Sequence, residues 1–252
     1  METSEAHAQR RFGVRLEWGP VGAAAVPADV AVVVDVLSFT TTLTVAAERG
    51  IEVFPYPWND ARAAEHAMRY AATLAVGRFE ARARSDRRHV SLSPASLEQV
   101  EDVERLVLPS PNGSTIAFAL RDTGATVVGA SLRNAAAVAA FLRPWAAQGR
   151  SILLVPAGER WPDDTLRPAV EDLWGAGAVL AALADAGVGG FSPEAATAAA
   201  AYRSLSSVPD ALRDCASGRE LVDAGFGEDV EVAARVDAAD VVPVLEGERF
   251  RA

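Results

Sequence analysis

The sequence predicts an α/β protein: a mainly parallel sheet with helices, two similar strand-loop-helix halves and a helical C-terminal part. Three observations predict it. Short apolar runs of strand character alternate with longer helical stretches along the chain. The interval from Asp35 to Gly50 recurs from Pro109 to Gly124, 15 residues in each, with Thr40 falling on Ser114 and Thr41 on Thr115. Half of the 252 residues are hydrophobic and 23% are charged, enough to build a sizeable core in one large domain or two small ones.

Residues 1–12 read as a polar tail and 13–252 as the folded domain, with subdomains at 13–104 and 105–252. Ala31 to Val34 is wholly apolar and ends at Asp35, as a buried parallel strand does. Thr40 to Arg49 reads as a helix stopped by Gly50, and Ile51 to Phe54 as the next strand. Asn59 is placed to cap a helix reaching about Tyr70, and Thr73 to Val76 is a third strand. Residues 77–93 are Arg-rich and aperiodic, a long surface loop.

The pattern restarts at Arg105. Leu106 to Leu108 is a strand, Ser110 to Ser114 a polar loop, and Thr115 to Arg121 a helix stopped by Gly124. Thr126 to Val128 is a strand, Asn134 to Ala147 a helix, and Ile152 to Val155 another strand. A loop, a helix over about Ala169 to Ala186, several short helices to Asp237 and a strand at Val241 to Leu245 complete the chain. The two blocks read as copies of strand, hydroxyl-bearing loop, helix, Gly, strand, Asn, helix; alternatively, the match is the ordinary period of an α/β chain. Either way, both loops follow the carboxyl ends of strands, where α/β proteins bind ligands.

Charge and composition narrow the chemistry. Twenty-four basic against thirty-four acidic residues give a net charge of −10, which argues against nucleic acid or a membrane surface as partner. All the basic residues are Arg, so a P-loop Lys, a Schiff-base Lys and a pyridoxal-phosphate anchor are excluded. The 52 Ala point to the drift of a GC-rich genome, so many Ala mark tolerated positions. One Cys, Cys215, fits a reducing, cytoplasmic setting, and three scattered His in no ligand spacing argue against zinc. There is no signal-like or membrane-spanning apolar run.

Three segments could carry chemistry. Asp35 stands at a strand end, where a carboxylate can hold a metal. The hydroxyls of Thr40, Thr41 and Thr42 open the following helix, where free N–H groups attract an anion. Alternatively the run is a plain N-cap. In Ser110-Pro111-Asn112-Gly113-Ser114-Thr115, the Asn-Gly pair makes a tight turn whose N–H groups could cradle phosphate; alternatively it is an ordinary turn. Third come Gly158-Glu159, Arg167 and Glu171-Asp172 before Gly175 and Gly177. Adjacent acids on a helix point in different directions, one toward a site and one to a cap or to solvent, unless both form a solvated acidic face. Each helical Gly costs roughly 1 kcal/mol against Ala, which suggests close helix packing or close backbone approach.

Taken together, these segments resemble the 2-phosphosulfolactate phosphatase family. The matching runs are Val34-Asp35-Val36-Leu37 with Thr40-Thr41-Thr42, Pro111-Asn112-Gly113-Ser114, Asn134 opening a helix, and Pro156-Ala157-Gly158-Glu159. Two more are Glu171-Asp172-Leu173-Trp174-Gly175-Ala176-Gly177 and Ser217-Gly218-Arg219-Glu220-Leu221 through Gly225-Phe226 and Glu228-Asp229-Val230. All occur in family order. The resemblance implies an Mg²⁺-dependent phosphomonoester hydrolase that converts 2-phosphosulfolactate to sulfolactate, a step toward coenzyme M. It also implies a site between two similar halves, and a homodimer. Ser38 and Phe39 stand where the family has Arg-Ala, Gly77-Arg78 replaces Gly-Glu-Arg, and Leu92-Ser93-Pro94 replaces Asn-Ser-Pro. A lost Arg removes a bidentate grip on phosphate or sulfonate.

On this reading Asp35, Glu171 and Asp172 hold Mg²⁺ or activate water. Thr40, Thr41, Asn112, Gly113 and Ser114 orient the phosphoryl oxygens, and Arg167 supplies some of the missing positive charge. Asn134 and Glu159 are further site residues. The competing expectations are a non-catalytic binder of a small anion or metabolite on the same fold, and a hydrolase of a different ester.

Overall fold

The computed structural model describes residues 5–57, 61–83 and 90–252. The first half runs β1 (Val14–Leu16), α1 (Gly19–Ala25), β2 (Val30–Val34), α2 (Phe39–Glu48), β3 (Glu52–Tyr56), α3 (Ala61–Arg69), β4 (Thr73–Leu74), α4 (Arg78–Ala83) and α5 (Pro94–Leu97). It continues with β5 (Arg105–Pro109), α6 (Gly113–Leu120), β6 (Thr126–Ala130), α7 (Ala135–Ala147), β7 (Ile152–Pro156), β8 (Glu159–Arg160) and β9 (Leu166–Arg167). The helical part holds α8 (Val170–Asp185), α9 (Pro193–Arg203), α10 (Val208–Asp214), α11 (Ala216–Asp223) and α12 (Gly227–Ala233), and the chain closes with β10 (Val244–Glu246) and β11 (Arg249–Arg251).

Nine strands form one sheet in the order β1-β7-β2-β6-β10-β11-β3-β5-β4. Two parallel half-sheets, β1-β7-β2-β6 and β3-β5-β4, are joined by the antiparallel hairpin β10–β11. Its strands dock on β6 and β3. The internal repeat recurs in the order and spacing of the elements. α2 and α6 start at Phe39 and Gly113, β3 and β6 at Glu52 and Thr126, α3 and α7 at Ala61 and Ala135, each pair 74 residues apart. The first unit carries the chain from β2 in one half-sheet to β3 in the other; the second returns from β5 to β6. The hairpin thus sits between the equivalent strands β3 and β6. A cut at 104/105 does not separate two bodies, because each unit gives one strand to each half-sheet.

Strand alternation divides the core. Val30, Val32 and Val34 of β2, with Ile152 and Leu154 of β7, face the layer of α7, α8 and α9. Ala31 and Val33, with Leu153 and Val155, face α1, α2 and α6, which also pack against Leu106 and Leu108 of β5. Each fully buried Val or Leu stabilises the fold by roughly 1.5–3 kcal/mol relative to exposure. The helical glycines serve close packing. A Cβ on Gly175 would lie 2.6 Å from Val36 and 2.8 Å from Val34, and one on Gly177 would strike the Ala198 carbonyl of α9.

Several elements differ from the sequence reading. Residues 77–93 are not one loop: Arg78–Ala83 is helical. Asn59 lies outside the described residues. β1, α1, the β8–β9 hairpin and β11 were not expected, being two to seven residues long with no clear period. Among the described residues, no helix is long and apolar enough to cross a membrane.

Candidate active site

The turn after β2 and the turn after β5 meet at Asp35. Its Oδ1 accepts the N–H of Phe39 at 3.2 Å, and its Oδ2 accepts the N–H of Gly113 at 2.9 Å. Those are the first residues of the equivalent helices α2 and α6, so one buried carboxylate spans two helix N-termini. Their partial positive charge favours the anion. Burial nevertheless dominates and pushes the Asp35 carboxyl up, against these N–H bonds and with help from Glu171. Gly113 must lack a side chain: a Cβ there would lie 2.7 Å from Asp35 Oδ2 and collide with the Phe39 ring.

Asp35 opens onto a cavity of about 180 Å³, lined also by Ser38, Phe39, Arg78, Ser110, Asn112 and Glu159. Asn112 Nδ2 donates to Glu159 Oε2 at 3.0 Å. Burial pushes the Glu159 carboxyl up to about 7. Asp35 and Glu171 repel its charge, while the Asn112 bond and Arg167 pull the other way.

The cation of the cavity is Arg78, at the start of α4. Its Nη2 donates to Ser38 Oγ at 2.6 Å, and its Nε donates to Asp229 Oδ2 at 2.6 Å. Asp229 of α12 is buried and also accepts from the Ala95 N–H at 3.3 Å and from the Ser93 hydroxyl. Arg78 therefore brings a guanidinium to the position where the family Arg is replaced by Ser38. The sequence reading did not place it in the site, although Gly77-Arg78 and Glu228-Asp229-Val230 were both in view. Ser110 was likewise missed; its hydroxyl lies 3.4 Å from Asp35 Oδ2.

The other expected site residues fall behind or away from the cavity. The Thr40 hydroxyl donates to Asp35 O at 2.8 Å and accepts from Asp35 N–H at 2.9 Å, closing the turn. Thr41 donates to Val36 O at 2.7 Å and Ser114 to Leu108 O at 2.7 Å. These three hydroxyls shape the turns rather than face a ligand. Asn134 is buried and its amide is used on the backbone: Oδ1 accepts Ser131 N–H at 2.8 Å and Nδ2 donates to Val241 O at 3.0 Å. Arg167 donates to Ser217 Oγ at 3.4 Å and does not line the cavity.

The two adjacent acids of α8 are both buried, so the solvated-face alternative fails. Asp172 clips two turns: Oδ1 accepts Val36 N–H at 2.7 Å and Oδ2 accepts Gly158 N–H at 2.8 Å. Burial, with Asp35 and Glu171 beside it, pushes its carboxyl well above the usual range. Glu171 instead reaches the Cys215 thiol, which burial holds up at about 12 and thus protonated, not a nucleophile. Among the described residues no group of three or more His, Cys, Asp or Glu is placed to hold a metal, so Asp35, Glu171 and Asp172 do not form a three-carboxylate cage. Of the three, Asp35 alone lines the cavity, and one carboxylate still fits Mg²⁺, which commonly takes one or two and fills its shell with water and substrate phosphate.

The cavity thus gathers a carboxylate held between two helix N-termini, a buttressed guanidinium and a second carboxyl. The 2-phosphosulpholactate phosphatase family model matches residues 21–248, and the chain belongs to that family. A probable 2-phosphosulfolactate phosphatase of Carboxydothermus hydrogenoformans is 28% identical over 213 residues, 84% of each chain. The class of enzyme this indicates is a phosphatase.

Proposed function

We propose that the protein is an Mg²⁺-dependent phosphatase that hydrolyses 2-phosphosulfolactate, or a closely related phosphorylated 2-hydroxy acid, to the hydroxy acid and phosphate. The observation that carries this reading is the convergence of Arg78, Asp35 and Glu159 on the wall of one cavity. Asp35, which lines the cavity, would hold the cation, with water and substrate phosphate completing its shell; the cation would neutralise phosphate charge and lower the pKa of the attacking water. Arg78 grips phosphoryl oxygens through charge-assisted hydrogen bonds, and Asp229 fixes the direction of its guanidinium. Ser110 and Asn112 offer a hydroxyl and an amide to the remaining oxygens.

Glu159 suits the role of general acid. With its carboxyl pushed up to about 7, it carries a proton over much of the neutral range. As the water oxygen bonds to phosphorus and its proton passes to solvent, the bond from phosphorus to the leaving oxygen breaks and Glu159 gives that oxygen its proton; Glu159 then regains a proton from solvent. The acid must be protonated to act, so kcat/KM falls as pH rises through about 7. Phosphate release from 2-phosphosulfolactate, followed with Mg²⁺ and after chelation and dialysis, tests the reading. Metal-dependent turnover is expected. Turnover undiminished in excess EDTA refutes the metal, and tight product binding with no release from any small phosphoester favours the non-catalytic binder.

A further inference from the structure

A second cavity of about 180 Å³ adjoins the first. Pro111, Asn112 and Glu159 line both, so the Asn112–Glu159 hydrogen bond is the partition between them. The two sides differ in character. The first holds Asp35 and Arg78; the second is walled by Trp18, Pro20, Val21, Ala157 and Leu166. A cation and a carboxylate also line the second cavity: Arg160, which donates to Pro111 O at 3.3 Å, and Asp164, whose exposed carboxylate lies 3.8 Å from the Arg160 guanidinium.

We propose that this second cavity binds the organic arm of the substrate, and that the preferred esters are phosphorylated 2-hydroxy acids with a short apolar side chain. The inference rests on the phosphatase reading. If phosphate lies against Arg78 and Asp35 and the leaving oxygen against Glu159, the alcohol carbon is directed past the partition. Its carboxylate then meets Arg160, and its side chain meets the apolar wall. A sulfonate carried into that wall loses hydration and finds no second guanidinium among its lining residues. An alkyl arm there gains from burial instead. Val21 and Leu166, 81% and 40% exposed, are apolar side chains at the rim.

The test compares kcat/KM, with Mg²⁺, for three esters: 2-phosphosulfolactate, 2-phospholactate and the phosphate ester of 2-hydroxy-4-methylpentanoate. The isobutyl ester is expected to exceed 2-phosphosulfolactate by about tenfold or more, within the ~10–200-fold that a hydrophobic pocket can discriminate. Val21→Asp, on an exposed helical surface that tolerates charge, should cut that ratio at least fivefold; Leu166→Asp repeats the measurement from the opposite wall. A ratio at or below one in the parent overturns the inference while leaving the phosphatase reading intact. So does an unchanged ratio in both variants, and a variant that changes only the elution volume shows that the rim serves a second copy of the chain instead. No turnover of any of the three esters removes the phosphatase reading itself, and this inference with it.

Discussion

The turn from Asp35 to Ser38 and the turn from Pro109 to Asn112 occupy equivalent positions, yet they contribute opposite chemistry. In the 74-residue register Asp35 corresponds to Pro109, Val36 to Ser110, Ser38 to Asn112 and Phe39 to Gly113. The backbone roles are kept. Thr41 donates to Val36 O, and its equivalent Thr115 donates to Ser110 O; Phe39 and Gly113 give their N–H groups to the same carboxylate. The side chains diverge. One turn supplies the carboxylate and the other its hydroxyl neighbour; Ser38 contacts a guanidinium and Asn112 a carboxyl. Duplicated backbone thus builds a symmetric frame, and unequal side chains give its two turns different partners, a guanidinium for one and the Glu159 carboxyl for the other.

That comparison is broken most severely at Asp35. Asp35→Asn should lower kcat by more than ~100-fold, the usual loss for a group tied to the metal or the water. One amide cannot accept from both helix N-termini, so a modest fall in Tm is expected as well. Activity within threefold of the parent would make Asp35 a cap and nothing more. Next comes Arg78→Gln, which should raise KM about 10- to 100-fold, in line with the ~1.5–3 kcal/mol of a hydrogen bond to a charged group. Asp229→Asn should raise KM less while leaving kcat nearly constant. A smaller effect follows from Gly113→Ala. The added Cβ pushes on Asp35 and Phe39, so kcat should fall about tenfold; equal activity at full stability would show that the two turns are not in contact in solution.

The sequence made the frame legible because the frame is periodic. β2 is five apolar residues, Val30–Val34, directly followed by Asp35, and the Gly-stopped helices lie close to their observed positions. The site was legible where the residue borders a strand end: Asp35, Asn112 and Glu159 all line the cavity. It was misleading where a hydroxyl or amide could equally serve the backbone. Thr40, Thr41, Ser114 and Asn134 are polar and suitably spaced, but a buried polar side chain must be satisfied, and the nearest partners were carbonyls and N–H groups of their own turns. Arg78 was invisible for the opposite reason. It comes from a segment with no period, and tertiary contacts with Ser38 and with Asp229, 151 residues away, hold it at the cavity.

The smallest expected effects give the finest test of the two turns. Ser38→Ala and Asn112→Ala change equivalent positions, each losing one hydrogen bond to a charged or titrating partner. The Asn112 amide is among the influences that hold the Glu159 carboxyl down at about 7. Without it the carboxyl rises further, so the general acid stays protonated to higher pH and the alkaline limb of kcat/KM moves up. A bond of ~1 kcal/mol corresponds to a little under one pH unit of movement. The stability consequence has the same origin. Glu159 is raised from its ordinary 4.5, so its contribution to stability is complete below about 4.5 and is lost as pH rises through about 7; in Asn112→Ala that loss extends to higher pH. Ser38→Ala loses a contact with the Arg78 guanidinium and none with Glu159, so KM should rise severalfold while the limb stays in place. Measured limbs that move together, or that both stay fixed, would show that the equivalent turns do not divide phosphate binding from proton donation.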